Sequence, residues 1–130
     1  MMHKKLQELL KNSYSPYSKF PVAAIVVDKN GKEWKGVNVE NAAYPSGLCA
    51  ERSALFGAIS HGFKPMEIVE IHIISKKEEY ISPCAGCRQV MTEFMPEDAK
   101  VIQYKYNSGE YRTNTISQMV PFPIKMVDIK

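Results

Sequence analysis

Covalent cross-linking plays little part in this chain, which has three cysteines in 130 residues. An odd number cannot pair completely, and sparse cysteine suits a reducing compartment where structural disulfides do not persist. A chain of this length buries a sufficient core without them. Long apolar runs are missing as well. None approaches the roughly 20 residues that span a membrane, so no membrane partner is expected. The N-terminal "MMHKKLQELLKN" is too polar for the apolar centre of a signal peptide. The expected location is therefore cytoplasmic. There is no large excess of one charge either: 17 basic against 14 acidic residues leave +3. The lysines and arginines are scattered, so there is no phosphate-binding stripe and no nucleic-acid partner is expected. No repeat, low-complexity tract or linker divides the sequence, and residues 1–130 read as one domain.

What is present alternates between helix and strand signals. Over residues 3–14, Leu6, Leu9 and Leu10 fall on one face and lysines on the other, which predicts a helix. Pro16 and Pro21 in "SPYSKFP" break it. "VAAIVV", residues 22–27, is a continuous apolar run, as expected of a strand covered on both faces. "DKNG" reads as a turn and "KEWKGVNV" as the returning strand. An Ala-rich helix follows at 49–61, closing near Gly62, then a strand at 67–75. Over 84–95, Cys84, Cys87, Val90, Met91 and Phe94 mark one helix face, with both cysteines at its N-terminal end. "KVIQYKY" is a strand, "NSG" a tight turn into "EYRT", and "TISQMV" a short last helix. Helical crossovers between the second, third and fourth strands predict parallel neighbours. The short NSG turn predicts a fifth strand antiparallel to the fourth. The expected fold is α/β, a three-layer α/β/α arrangement around a five-stranded mixed sheet.

All three cysteines sit in two tight motifs, "LCAER" and "SPCAGC". Taken alone, Cys84-x-x-Cys87 is open to three readings: a zinc pair, a redox pair or a coincidence. Cys49 shifts the balance, because it begins one helix while Cys84 and Cys87 begin another. Helix N-termini stabilise thiolates through their positive field and unpaired N–H groups. Three thiolates around Zn²⁺ leave one tetrahedral position open, the mark of a catalytic zinc. A histidine is a poor fourth ligand. His3 is near the N-terminus, His72 is inside a strand, and His61 is about 18 Å along the helix from Cys49 at the usual rise. Glu51, two residues after a ligand, is then a candidate to move protons beside that open position. A glutamate in a first helical turn is also common for its effect on the dipole alone. Zn²⁺ with three thiolates totals minus one, and Arg52 is the candidate to offset that excess. Most helix arginines simply face solvent.

Together, "SPYSKFPVAA", "GVNVENAAYPSGLCAERSA" and "SPCAGCRQVMTEF" closely resemble the small, homotetrameric, zinc-dependent cytidine deaminases over roughly residues 14–95. The resemblance implies hydrolysis of cytidine and 2′-deoxycytidine to the uridine forms plus ammonia, in pyrimidine salvage. It implies one Zn²⁺ per subunit on Cys49, Cys84 and Cys87, with Glu51 as proton shuttle and Arg52 hydrogen-bonded to the thiolates. Asn38 and Glu40 match the family's ribose-binding pair, and Phe20 the aromatic residue against the pyrimidine. The Ala50 N–H and the Ser82 carbonyl match groups that contact the base O2 and the amino group. A nucleoside is thus the implied small-molecule partner, and a homotetramer the implied assembly.

Two features depart from the family pattern. Ala23 stands where glycine is usual. In "MVPFPIKMVDI", Ile124 falls where the family places a phenylalanine that reaches a neighbouring subunit, and Phe122 lies two residues away. Alternatives are a deaminase of another aminopyrimidine nucleoside, such as blasticidin S, and a non-catalytic zinc-stabilised interaction module. A redox Cys-x-x-Cys protein leaves Cys49, Glu51 and Asn38 without a role.

Overall fold

The apolar run at residues 22–27 becomes the hidden axis of a sheet. The structure, a computed structural model, describes residues 1–125. Its elements in chain order are α1 (Met2–Leu10), β1 (Val22–Asp28), β2 (Glu33–Val37), α2 (Ala50–Ser60), β3 (Ile68–Ser75), α3 (Ala85–Phe94), β4 (Lys100–Tyr104), β5 (Tyr111–Thr115) and α4 (Ile116–Met119), with a single 3₁₀ turn at Tyr44–Ser46 before α2. The strands form one five-stranded mixed sheet in the order β2-β1-β3-β4-β5.

Ala23, Ala24, Ile25 and Val26 are all fully buried, because β1 is covered on both faces. Ala23 and Ile25 face Leu6 and Leu10 of α1. Ala24 and Val26 pack with Ala54, Leu55, Ile71, Ile73 and Met91, on the side of α2 and α3. This alternation is the period-two rule of a strand with a hydrophobic layer on each side. It yields the expected α/β/α layering. Ala23, the departure from the family glycine, is absorbed in the α1 layer.

The strand neighbours differ in part from expectation. β3 and β4 are parallel, and β5 is antiparallel to β4. The second and third strands are not neighbours, however. β1 lies between them and is antiparallel to both. The helical crossover through α2 does set β2 and β3 in the same direction, but it steps over β1. The reason is burial: β1 is apolar throughout and takes a partner on each edge, whereas β2 carries exposed Lys35 and suits the outside of a sheet.

α1 also ends earlier than its pattern suggests, at Leu10 and not near residue 14. The N–H groups of Lys11, Asn12 and Ser13 reach only the third carbonyl back, at 3.3, 3.0 and 3.2 Å, which tightens the helix to a close. Tyr14 then exchanges backbone hydrogen bonds with the strand extension beyond β2: its N–H donates to Asn38 O at 3.0 Å, and its O accepts from Glu40 N at 2.8 Å.

Gly36 of β2 presses on the first turn of α2. A Cβ at this position would lie 2.3 Å from the Ala54 amide nitrogen and 2.8 Å from the Ala50 carbonyl oxygen, so only glycine permits the approach. That contact sets where the N-terminus of α2 stands.

Candidate metal centre and active site

Two helices deliver their N-termini to one point. Cys49 is the N-cap of α2 and Cys84 the N-cap of α3, and Cys87 lies in the first turn of α3. The three sulfurs lie within 4.8 Å of one another. The Cys87 N–H donates to Cys84 Sγ at 3.4 Å, so the end of α3 already stabilises negative charge on that sulfur. A hydrogen bond from the Cys87 thiol brings the Cys49 thiol down to about 6. Arg52 adds to this against the opposing effect of burial. The same hydrogen bond, with burial and the charge of Glu51, pushes Cys87 up.

The donor set fits zinc. Three soft sulfur ligands within one cluster match a tetrahedral ion with one position left open. Among the described residues no histidine or carboxylate joins the group. His72 is buried and occupied elsewhere, with Nδ1 at 2.8 Å from the Tyr104 hydroxyl and Nε2 at 2.9 Å from Glu70 Oε1. His3 packs against Tyr104 and lies 2.8 Å from the Tyr106 carbonyl.

Glu51 is only 6% exposed. Burial pushes its carboxyl up to about 7; the negative charge on Cys49 adds to this, while its own backbone N–H and Arg52 oppose it. A carboxyl near 7 gains and loses a proton readily at neutral pH. The surroundings of Arg52 favour its charged form. Burial disfavours its charge, but the fields of Cys87, Cys49 and Cys84 outweigh that and raise its pKa. Its guanidinium lies against Gly86, where a Cβ would sit 2.2 Å from Nη2. Its buried Nε has no hydrogen-bond partner among the described residues.

Beside the sulfurs is a cleft of about 460 Å³, lined by Tyr17, Ser18, Asn38, Glu40, Tyr44 and Cys49, among others. Its size is that of a small-molecule site, roughly 300–1,000 Å³. Asn38 and Glu40 also hold the cleft's own wall. Asn38 Nδ2 donates to Phe20 O at 2.9 Å, and its Oδ1 accepts from Val22 N at 2.9 Å and from the Ser13 hydroxyl. Glu40 Oε1 accepts from Tyr17 N and Ser18 N, each at 3.0 Å, and its Oε2 accepts from the Ser18 hydroxyl. The Ser18 bonds lower the Glu40 pKa and keep it ionised.

The structure thus brings Asn38, Glu40, Cys49, Cys84, Cys87, Glu51 and Arg52 into one region. Ala50 is buried as the first residue of α2. Ser82 stands two residues before Cys84, with its hydroxyl bonded to Gln103. Phe20 is outside the cleft lining, its ring 5.4 Å from Lys77 Nζ. Tyr17 and Tyr44, in edge-to-face contact at 5.9 Å, line the cleft without being singled out by spacing. Their only signal is an exposed aromatic in a Pro-containing loop. A second cleft of about 760 Å³ lies beside α3 and α4, lined by Met66, Glu93, Glu97 and Ile124 but by no cysteine.

The C-terminal strap is held by α3. Gln89 Nε2 donates to Ile124 O at 2.9 Å, and Ile124 N donates to Gln89 Oε1 at 3.1 Å. Arg88 Nη1 donates to Met119 O at 3.2 Å. The side chains of Phe122 and Ile124 are exposed. Residues 126–129 of the "MVPFPIKMVDI" stretch lie outside the described residues.

Comparison with known proteins agrees with this geometry. The model of the cytidine and deoxycytidylate deaminase zinc-binding region matches residues 1–104. A cytidine deaminase of Halalkalibacterium halodurans is 38% identical over 122 residues, which is 93% of this chain and 89% of that protein. One from Sporosarcina psychrophila is 35% identical over 120 residues, 92% and 85% of the two chains. The crystal structure of cytidine deaminase from Burkholderia pseudomallei superposes with a TM-score of 0.84 at 37% identity, covering 95% of this chain and all of that one. That from Mycobacterium leprae gives 0.78 at 30% identity, covering 92% and 94%.

Proposed function

The chain belongs to the cytidine deaminase family, and on that premise we propose how its residues convert cytidine, and 2′-deoxycytidine with it, to the uridine forms plus ammonia. The observation that carries the proposal is a carboxyl buried in the first turn of α2 beside three clustered thiols. Cys49, Cys84 and Cys87 would hold a zinc ion, which would supply the Lewis acidity that makes a water nucleophilic near neutral pH. Glu51 takes the proton from that water as its oxygen adds to C4, and passes the proton to ring N3. It then carries the second water proton to the amino group. The C4–N bond breaks, ammonia leaves, and the ring keeps the N3 proton and a C4 carbonyl. Arg52 offsets the net negative charge of three thiolates and one divalent ion.

In the cleft, Asn38 and Glu40 bind the sugar hydroxyls, and their bonds to residues 13–22 hold them rigid for that task. The Ala50 N–H meets O2 and the Ser82 carbonyl accepts from the amino group, and Phe20, which stands outside the cleft lining, comes onto the pyrimidine when substrate is bound. The whole chain acts as one domain, and four copies assemble. The exposed Phe122, at 94%, and Ile124, at 62%, support association, being apolar surface with something to gain from cover. Free thiols at the site suit a reducing cytoplasm, and the reaction suits pyrimidine salvage.

The test is loss of cytidine ultraviolet absorbance on incubation with the protein. Glu51→Ala should retain zinc and lose about 10²–10⁴-fold in turnover, the usual contribution of a general acid–base group. A Glu51→Ala protein as active as the parent would exclude the proton-shuttle role. Sedimentation showing a stable, active monomer would exclude the tetramer.

A further inference from the structure

Gln103 is a polar side chain of β4 with no exposure at all. A buried amide is stable only when its bonding groups find partners, and those it finds are informative. Its Nε2 donates to the Ile81 carbonyl at 2.9 Å and to the Ser82 hydroxyl at 3.3 Å. Its Oε1 accepts from Arg112 Nε at 2.8 Å. Arg112 is its direct cross-strand partner on β5, and the Arg112 guanidinium lies 4.9 Å from the centre of the Tyr80 ring. Two sheet residues therefore grip three successive residues, Tyr80, Ile81 and Ser82. These lie in a segment, residues 76–83, that has no helix or strand of its own and that leads straight into Cys84.

We propose that Gln103 is a positioning residue for recognition of the substrate's 4-amino group. Fixing the Ile81 carbonyl restricts the adjoining planar peptide units, and the next carbonyl along is that of Ser82. The inference rests on the reading above that this carbonyl accepts from the amino group. Arg112 holds the Gln103 amide in the orientation that presents its N–H groups, and not its oxygen, to the segment. The C-terminal end of two parallel strands, β3 and β4, is the usual place for ligand recognition in an α/β sheet.

The test compares two nucleosides on the zinc-loaded enzyme: cytidine, and 2-pyrimidinone riboside, which lacks the 4-amino group. Gln103→Met keeps the volume and removes the donors. It should lower kcat/KM for cytidine about tenfold, the usual scale of one lost hydrogen bond. The inhibition constant of the 2-pyrimidinone riboside and the zinc content should stay within about twofold of the parent. If Gln103→Met does not fold, Arg112→Met, at an exposed position, releases the amide orientation. It should cause a smaller loss with the same selectivity for the amino-bearing nucleoside. Equal losses for both nucleosides, or none, would overturn the inference. A parent enzyme that leaves cytidine untouched would instead overturn the functional reading beneath it.

Discussion

Glu51 should weaken the fold it serves. In the unfolded chain its carboxyl has its ordinary pKa of 4.5, and in the folded chain burial lifts this to about 7. Between those values the folded state holds a proton that the unfolded state has released. Stability therefore falls as pH rises from 4.5 to 7, and stays at the lower level above that. The difference of about 2.5 in pKa, at 1.36 kcal/mol each, amounts to about 3 kcal/mol. Glu51→Gln has nearly the same shape and no charge. In zinc-free, reduced protein it should therefore be more stable than the parent at pH 8 by up to about 3 kcal/mol. The advantage should shrink toward pH 5. Urea unfolding of both proteins across this range measures it. In zinc-loaded protein the cation favours the carboxylate, so the gap at pH 8 should narrow. A gap that does not change with pH, or a variant less stable at pH 8, would refute the reasoning.

Gly36→Ala should destabilise the fold by about 1–3 kcal/mol through overpacking and loosen zinc retention, read by thermal unfolding and by zinc transfer to a chelator. Unchanged values for both would remove Gly36 as the spacer of α2. Gln89→Ala breaks both bonds to Ile124, so the strap should be cleaved faster by limited proteolysis, with parent-like zinc content. Thr115→Ala removes the capping box of α4, in which Thr115 and Gln118 satisfy each other's backbone. It should cost about 1 kcal/mol in urea unfolding. Cys84→Ala should reduce bound zinc to near zero by metal analysis.

Much of this was legible in the chain because the relevant signals are local. Six apolar residues in a row announce a strand buried on both faces. Cys49, Cys84 and Cys87 announce a metal through ligand chemistry and helix starts. Strand adjacency is a different matter. The crossover between β2 and β3 fixes their direction, but whether β1 slips between them depends on pairing between segments about 50 residues apart, such as Ala24 with Ile73, which no local pattern records. The early end of α1 depends likewise on Tyr14 meeting the chain beyond β2. Gln103 is hidden in "KVIQYKY" because strand periodicity sorts residues by face, not by bonding partner. Asn38 and Glu40 come forward only through the family resemblance, and their grip on residues 13–22 appears only in three dimensions.

The ligand cysteines belong to separate crossover units, one before β3 and one after it. A shared ion would therefore act as a clasp closing the stretch of chain between Cys49 and Cys84. By the loop-entropy relation, a tie of that span withdraws about 4 kcal/mol of freedom from the unfolded chain. The catalytic ion would be a structural fastener as well. Metal loss would then unlatch the two crossovers from each other, and how long the enzyme survives heat would track how slowly it surrenders its zinc.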